Sequence, residues 1–243
     1  MDANFHIFRT SQQMGQAAAE HVAYLCAQAV GERGRFTVAV SGGSLPKLLF
    51  PPMVSEPIRS QINWSKWHVF WADERCVSLT DPDSNYRLTR EYLFDHVEIP
   101  PTQIVPINDT LDPATAAANY QKKLAQVFAP LSGQLPRFDL ILLGMGEDGH
   151  TASLFPNHPL LREKERWVTP IFDSPKPPPE RITLTLPVIN QARQVVFIAA
   201  GAGKAEALSA IIKGNSDLPA ALVQPTNGEL HWFVDDAATG LTG

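Results

Sequence analysis

The chain has 243 residues, 44% of them hydrophobic, and its 20 basic against 25 acidic side chains leave a net charge of −5. With no basic patch or tail, it is a poor partner for duplex nucleic acid or an anionic membrane. Its apolar runs, such as Val195–Ala200, fall far short of the ~20 residues that cross a bilayer. Proline is the unusual count, 21 residues or close to twice the typical ~5%, which excludes a fold made mostly of long unbroken helices.

In chain order, Met1-Asp2-Ala3-Asn4-Phe5-His6 shows no basic region followed by an apolar run, so no signal peptide is expected. Residues 11–31 place Met14, Ala18, Val22, Leu25, Cys26 and Ala29 at helical spacing, with Gly31 and Gly34 closing the segment. Phe36–Val40 reads as a buried strand broken at Ser41-Gly-Gly-Ser44, and a short helix from Pro46 is expected to stop before Pro51-Pro52. Trp67–Trp71 is the next strand. Helices are expected over Asn85–Phe94 and over Pro113–Leu131, with Pro113 in the first turn. Phe138–Leu143, Arg181–Leu186, Val195–Ala200 and Glu229–Val234 read as strands, and Lys204–Lys213 as a helix. Ser174-Pro-Lys-Pro-Pro-Pro179 reads as a rigid loop. Strands that are apolar throughout and alternate with helices predict an α/β fold: a Rossmann-like, open, mainly parallel sheet with helices on both faces. No linker or repeat divides the chain, so residues 1–243 are expected to form one domain. Cys26 and Cys76 make neither a disulfide framework nor a metal-ligand spacing, and a reducing, cytoplasmic setting is expected.

Ligands of open parallel sheets sit beyond the carboxyl ends of the strands, so the residues after each strand carry the functional reading. Ser41, Gly42, Gly43 and Ser44 precede a helix start, where close backbone approach and free N–H groups suit a phosphate. Gly144-Met-Gly146-Glu-Asp148-Gly149-His150 matches Gly-x-Gly-x-x-Gly, but three features tell against a dinucleotide. Asp148 and His150 crowd the place a pyrophosphate would take, Pro156 and Pro159 shorten any helix, and no strand ends in an acid ~20 residues on. An imidazole in that loop is instead a natural general base, with Asp148 free to face the same pocket. Gly201-Ala-Gly203-Lys204 fails as a Walker A loop at Ile198 and Ala205, yet Lys204 at a helix start makes a good phosphate clamp. The carboxylates of Asp73, Glu74, Asp81 and Asp83 could hold a divalent metal. Arg75 beside them argues for ion pairing instead, and no metal or other cofactor is expected.

Taken together, these loops resemble the 6-phosphogluconolactonase family of the glucosamine-6-phosphate isomerase/lactonase superfamily. The matching pieces are Val40-Ser-Gly-Gly-Ser44, Trp71-Ala-Asp-Glu-Arg75, Asp81-Pro-Asp-Ser-Asn-Tyr86, Leu143-Gly-Met-Gly-Glu-Asp-Gly-His-Thr-Ala-Ser-Leu-Phe-Pro156, Arg181-Ile-Thr-Leu-Thr185 and Gly203-Lys-Ala205. The deaminating isomerases follow Asp-Gly-His with Ile-Ala-Phe-Asn-Glu-Pro, whose glutamate helps ring opening. Here the position before Pro156 is Phe155, and Arg75 stands where the isomerases have tyrosine. The resemblance implies hydrolysis of 6-phospho-D-glucono-1,5-lactone in the oxidative branch of the pentose phosphate pathway. It implies His150 as base on the attacking water, with Asp148 shaping the loop or steadying the imidazolium. Ser41–Ser44 and Lys204 would hold the phosphate, Arg75 and Arg181 would supply charge, and Asp73 would bind sugar hydroxyls. The expected partner is a small phosphorylated sugar lactone, with the chain a monomer or small homo-oligomer. The alternatives are a hexosamine-phosphate isomerase or deaminase, and a non-catalytic sugar-phosphate sensor.

Overall fold

The computed structural model describes residues 3–129, 134–214 and 217–240. Nine strands among them are β1 (Asn4–Phe8), β2 (Phe36–Val40), β3 (Trp67–Trp71), β4 (Asp73–Arg75), β5 (Leu140–Leu143), β6 (Val168–Ile171), β7 (Arg181–Leu184), β8 (Gln194–Ala199) and β9 (Glu229–Asp235). The α-helices are α1 (Ser11–Arg33), α2 (Leu45–Met53), α3 (Ile58–Gln61), α4 (Asn85–Thr89), α5 (Pro113–Phe128), α6 (Leu186–Ile189), α7 (Ala205–Ile212) and α8 (Asp236–Thr239). None of the described helices is long and apolar enough to cross a membrane.

Six strands form a parallel sheet in the order β1-β9-β8-β5-β2-β3. The strands of its centre are buried along their whole length because both faces are covered, and alternate side chains enter different cores. Val38, Val40, Leu140, Leu142, Val196 and Ile198 pack with α1 and α2. Ala39, Ile141, Leu143, Val195 and Phe197 pack on the other face with Ala116, Tyr120 and Leu124 of α5. That two-sided burial is why the strands read as unbroken apolar runs, and it bears out the expected fold class. From β2 the chain moves outward to β3, then returns to β5 on the other side of β2, so the strand order reverses between β2 and β5. In such sheets the crevice beyond the reversal is where ligands bind.

The second sheet, in the order β4-β7-β6, is antiparallel and was not foreseen. It joins the first directly: Ala72, the one residue between β3 and β4, donates to the Val40 carbonyl and accepts from the Leu184 N–H. Other expectations need correction. Helix α2 runs through Pro51 and Pro52 instead of stopping before them. Both prolines fall in its last turn, where only donors to Lys47 and Leu48 are lost, while Val54 N–H still closes on the Phe50 carbonyl. The Arg181–Leu186 strand ends at Leu184, because Thr185 opens α6 with Pro187 in its first turn. Arg90–Phe94 is wound as a π-helix that continues α4. Helix α5 is described to Phe128, and its expected end at Leu131 lies outside the described residues, as do Met1 and Asp2.

Candidate active site

Three loops leave the carboxyl ends of β2, β5 and β8 and meet one cavity of about 380 Å³, a volume suited to a sugar phosphate. Ser41, Gly42, Gly43, Ser44, Asp73, Arg75, His150, Arg181 and Lys204, all expected at the site from sequence, line it. Asp148, also expected there, does not line it but touches His150, which does. Lys176, Asn85 and Glu147 also line the cavity and were not expected to.

The histidine loop is folded tightly. Gly146 N–H donates to the His150 carbonyl, Gly149 N–H donates to the Gly146 carbonyl, and Gly149 holds a φ of 77°. A side chain at Gly146 has no room, since its Cβ would lie 2.0 Å from His150 Nδ1 and 2.5 Å from Asp148 Oδ1. Within this turn the Asp148 carboxylate accepts from the His150 backbone N–H at 3.3 Å and meets the ring Nδ1 at 2.5 Å. Sequence spacing had left that contact open. With the carboxylate as acceptor, Nδ1 carries the proton and Nε2 keeps its lone pair. Burial lowers the His150 pKa below its usual value, outweighing Asp148, which pulls it up; the Lys176 cation adds to the lowering. Burial pushes Asp148 upward, but the His150 hydrogen bond and the positive charge nearby hold its carboxyl below the usual range. The result is an imidazole that is neutral at neutral pH with its tautomer fixed. Phe155, buried, packs its ring 4.7 Å from the imidazole and lies 5.6 Å below the Arg181 guanidinium carbon.

Cationic groups are distributed around the imidazole. Lys176 Nζ stands 3.9 Å from Asp148 Oδ1. Arg181, only 3% exposed, donates from Nε to the Pro178 carbonyl and from Nη2 to those of Lys176 and Pro177. Proline has no N–H to offer, so this run of carbonyls depends on a side chain for its donors. The remaining bond, from Nη1 to Ser153 Oγ, reaches Asp73, whose Oδ2 accepts from the same hydroxyl at 2.7 Å. Arg181 thus builds the loop that carries Lys176 as well as facing the cavity. Lys204 opens α7, and its partial burial lowers its pKa, with Glu147 acting in the opposite direction.

The Ser41 loop meets the cavity at the start of α2, a helix whose first turn has no side-chain cap. Ser41 Oγ is buried without a hydrogen-bond partner among the described residues. Uncapped N–H groups and an orphan hydroxyl are the donors an oxyanion wants. Across from it, Glu74 organises the next loop. Its carboxylate accepts backbone N–H bonds from Arg75, Asn85 and Tyr86, while burial pushes its pKa up to about 7 against those donors. Asn85 in turn donates to the Asp73 carbonyl and packs on Gly42, where a Cβ would fall 1.9 Å from its Oδ1. Arg75 donates to the Asp83 carbonyl and makes no ion pair with its acidic neighbours among the described residues, contrary to the expected pairing.

The family model for glucosamine-6-phosphate isomerases/6-phosphogluconolactonase matches residues 9–232. The 6-phosphogluconolactonase of Homo sapiens is 46% identical over 241 residues, covering 97% of this chain and 92% of that protein. A probable 6-phosphogluconolactonase 2 of Oryza sativa subsp. indica is 43% identical over 245 residues, covering 96% and 87%. Among solved structures, the 6-phosphogluconolactonase from Trypanosoma cruzi superposes with a TM-score of 0.88 at 26% identity, covering 98% of this chain and 96% of that one. The chain belongs to the glucosamine-6-phosphate isomerase/6-phosphogluconolactonase family.

Proposed function

We propose that this chain is a lactonase that hydrolyses 6-phospho-D-glucono-1,5-lactone to 6-phospho-D-gluconate in the pentose phosphate pathway. The likeness to named lactonases across almost the whole chain supports the reaction. The observation that carries the mechanism is a neutral, Asp148-oriented His150 on the wall of a cavity rich in cations. A lactone carbonyl is already electrophilic, so the protein needs to place a water, take its proton and balance the oxyanion. His150 Nε2 removes a proton from water as the oxygen bonds to the lactone carbon. The carbonyl electrons move onto oxygen, and Arg75, Arg181 and Lys176 supply the positive field that stabilises it. Collapse of the adduct breaks the bond to the ring oxygen, which takes the proton back from the imidazolium. Ser41 Oγ, the start of α2 and Lys204 hold the phosphate, and Asp73 sets the sugar.

Phe155 favours the lactonase over a deaminating isomerase, since a buried phenyl ring beside His150 moves no proton.

The test is the loss of freshly made 6-phosphogluconolactone with a chelator present and the spontaneous rate subtracted. Acceleration is the expected result, abolished by at least about 10² in His150→Asn. Absence of acceleration would refute the proposal, and near-normal turnover in the variant would remove His150 as the base. Glucosamine 6-phosphate is expected to release no ammonia.

A further inference from the structure

A second cationic cavity, of about 230 Å³, lies at the opposite end of the parallel sheet, where β2, β5 and β8 begin. Arg33, Arg35, Arg137 and Arg193 line it together with Thr37 and Asp139. The catalytic loops leave the far ends of the same three strands, so the two cavities share no residue.

Charge in this cavity is unbalanced. Asp139, buried, serves most of the cluster alone: Oδ2 accepts the backbone N–H and hydroxyl of Thr37, each at 2.8 Å. Its Oδ1 meets Arg33 Nε at 2.8 Å and Arg193 Nε at 3.5 Å. The other carboxylate, Glu32, is largely exposed and pairs with Arg33. Arg35 and Arg137 have no carboxylate among the described residues. Each gives one donor to a backbone carbonyl, Arg35 to Val127 at 3.2 Å and Arg137 to Asn227 at 2.5 Å. Arg137 Nε is buried with no partner among the described residues. Four guanidiniums against two carboxylates leave a surplus of two positive charges in a concave, partly dry site. The crowding is felt by the groups themselves: Arg193 has a lowered pKa from burial, then from Arg137 and Arg33. His68, paired in register with Thr37, is lowered by burial and then by Arg35. Like charges assembled around a saturated carboxylate, with guanidinium N–H groups to spare, match a ligand that brings several anionic oxygens.

We propose that this cavity binds a small phosphate-bearing anion, separately from the catalytic cavity. Arg35 and Arg137 are the residues to change, because their contacts are to backbone carbonyls and neither lies in the catalytic machinery. Inorganic pyrophosphate is the probe, titrated calorimetrically into the full chain, with inorganic phosphate and glucose 6-phosphate as further arms. A saturable binding event should persist when the catalytic cavity is weakened by K204A. It should weaken at least about 10-fold in R35Q/R137Q, while kcat and KM for the lactone stay within about twofold. Preference for the bare anions or for the sugar phosphate tells which source of phosphate fills the site. If the double variant does not fold, R35Q and R137Q singly should each weaken binding, with R137K keeping more of it than R137Q. No K204A-resistant binding of any of the three probes would overturn the proposal. So would pyrophosphate binding indifferent to both arginines.

Discussion

Asp148→Asn tests how far His150 depends on its neighbour. In the native chain Nδ1 and Asp148 Oδ1 are 2.5 Å apart, so the carboxylate fixes the proton on Nδ1 and aligns the ring. An asparagine can turn its NH₂ toward Nδ1 and force the proton to Nε2, the wrong tautomer for a base. At other histidine–carboxylate pairs that error lowers turnover by up to ~10⁴, and general-base catalysis as a whole contributes ~10²–10⁴, or about 3–5 kcal/mol of barrier. The expected loss in kcat therefore lies between about 10² and 10⁴, with KM for the phosphorylated lactone little changed. The pH profile supplies an independent sign. Burial lowers the His150 pKa and Asp148 pulls it up, with the net result below the usual 6.5. Native activity should accordingly rise with pH through a midpoint below 6.5 and stay flat through neutrality. Without the carboxylate, burial and the Lys176 cation remain, both lowering, so the acid limb of the variant moves to still lower pH. The assay is the initial rate of lactone loss across a pH series, with spontaneous hydrolysis subtracted at each point. Near-native kcat with an unmoved acid limb, or a limb displaced upward, would refute the assignment of Asp148.

Lys204→Ala should raise KM for the phosphorylated lactone by ~10–100-fold, the worth of one charge-assisted hydrogen bond, with a smaller effect on kcat; an unchanged KM would contradict the phosphate clamp. Arg181→Ala should remove the buried cation that reaches Asp73 through Ser153 Oγ and leave the Pro177 and Pro178 carbonyls without their donor, while the Lys176 carbonyl keeps Ser174 Oγ. Breaking a buried ionic arrangement costs about 3–5 kcal/mol, which for a chain of this size lowers the melting midpoint by roughly 10 °C; an unchanged midpoint by calorimetry would show that the loop holds itself. His21, packed against His6 and His231 beside β1 and β9, has its pKa lowered to about 4 by burial and then by its histidine neighbours. The unfolded chain takes up that proton near 6.5 while the folded chain refuses it, so stability should fall as pH drops from about 6.5 toward about 4. His21→Phe should flatten that slope in thermal melts, and an unaltered slope would place the acid sensitivity elsewhere.

The central sheet was legible because both of its faces are dry. Phe36–Val40 and Leu140–Leu143 carry no polar alternation, and the parallel fold follows from that. The second sheet was hidden for the opposite reason. Its strands hold Asp73, Glu74, Thr169, Arg181 and Thr183, all buried and without an apolar pattern; Asp73 and Arg181 meet at Ser153 Oγ, and Glu74 and Thr183 bond to backbone groups of other segments. Ser153 and Asp73 are 80 residues apart, and no local spacing could have joined them. The site divides in the same way. His150, Asp148, the Ser41 loop and Lys204 sit directly after strands, where the fold class itself says to look. Lys176 sits in a loop before a strand, and the antiparallel β6–β7 pair brings it to the cavity. The prolines around it read in the sequence as stiffening elements. Their chemical consequence, a row of carbonyls served by Arg181 with Ser174 Oγ as a second donor at Lys176, becomes visible with the folded loop.

Phe155 ties these parts to the choice of chemistry. An isomerase must open a hemiacetal ring and shuttle protons between neighbouring carbons, which needs a second acid–base group beside the histidine. Hydrolysis of a lactone needs one base that is neutral before the attack and a positive field for the oxyanion afterwards. A glutamate at position 155, 4.7 Å from the imidazole in place of the ring, would raise the His150 pKa and keep it protonated. The same carboxylate would pair with Arg181, whose guanidinium lies over that ring, and cancel the charge available to the oxyanion. The phenyl ring does neither. It dries the imidazole, which keeps it a base, and leaves the arginine positive. An acidic chain can therefore hold a cationic catalytic cavity because an apolar residue, not a cation, replaces the acid at the position where the two chemistries part.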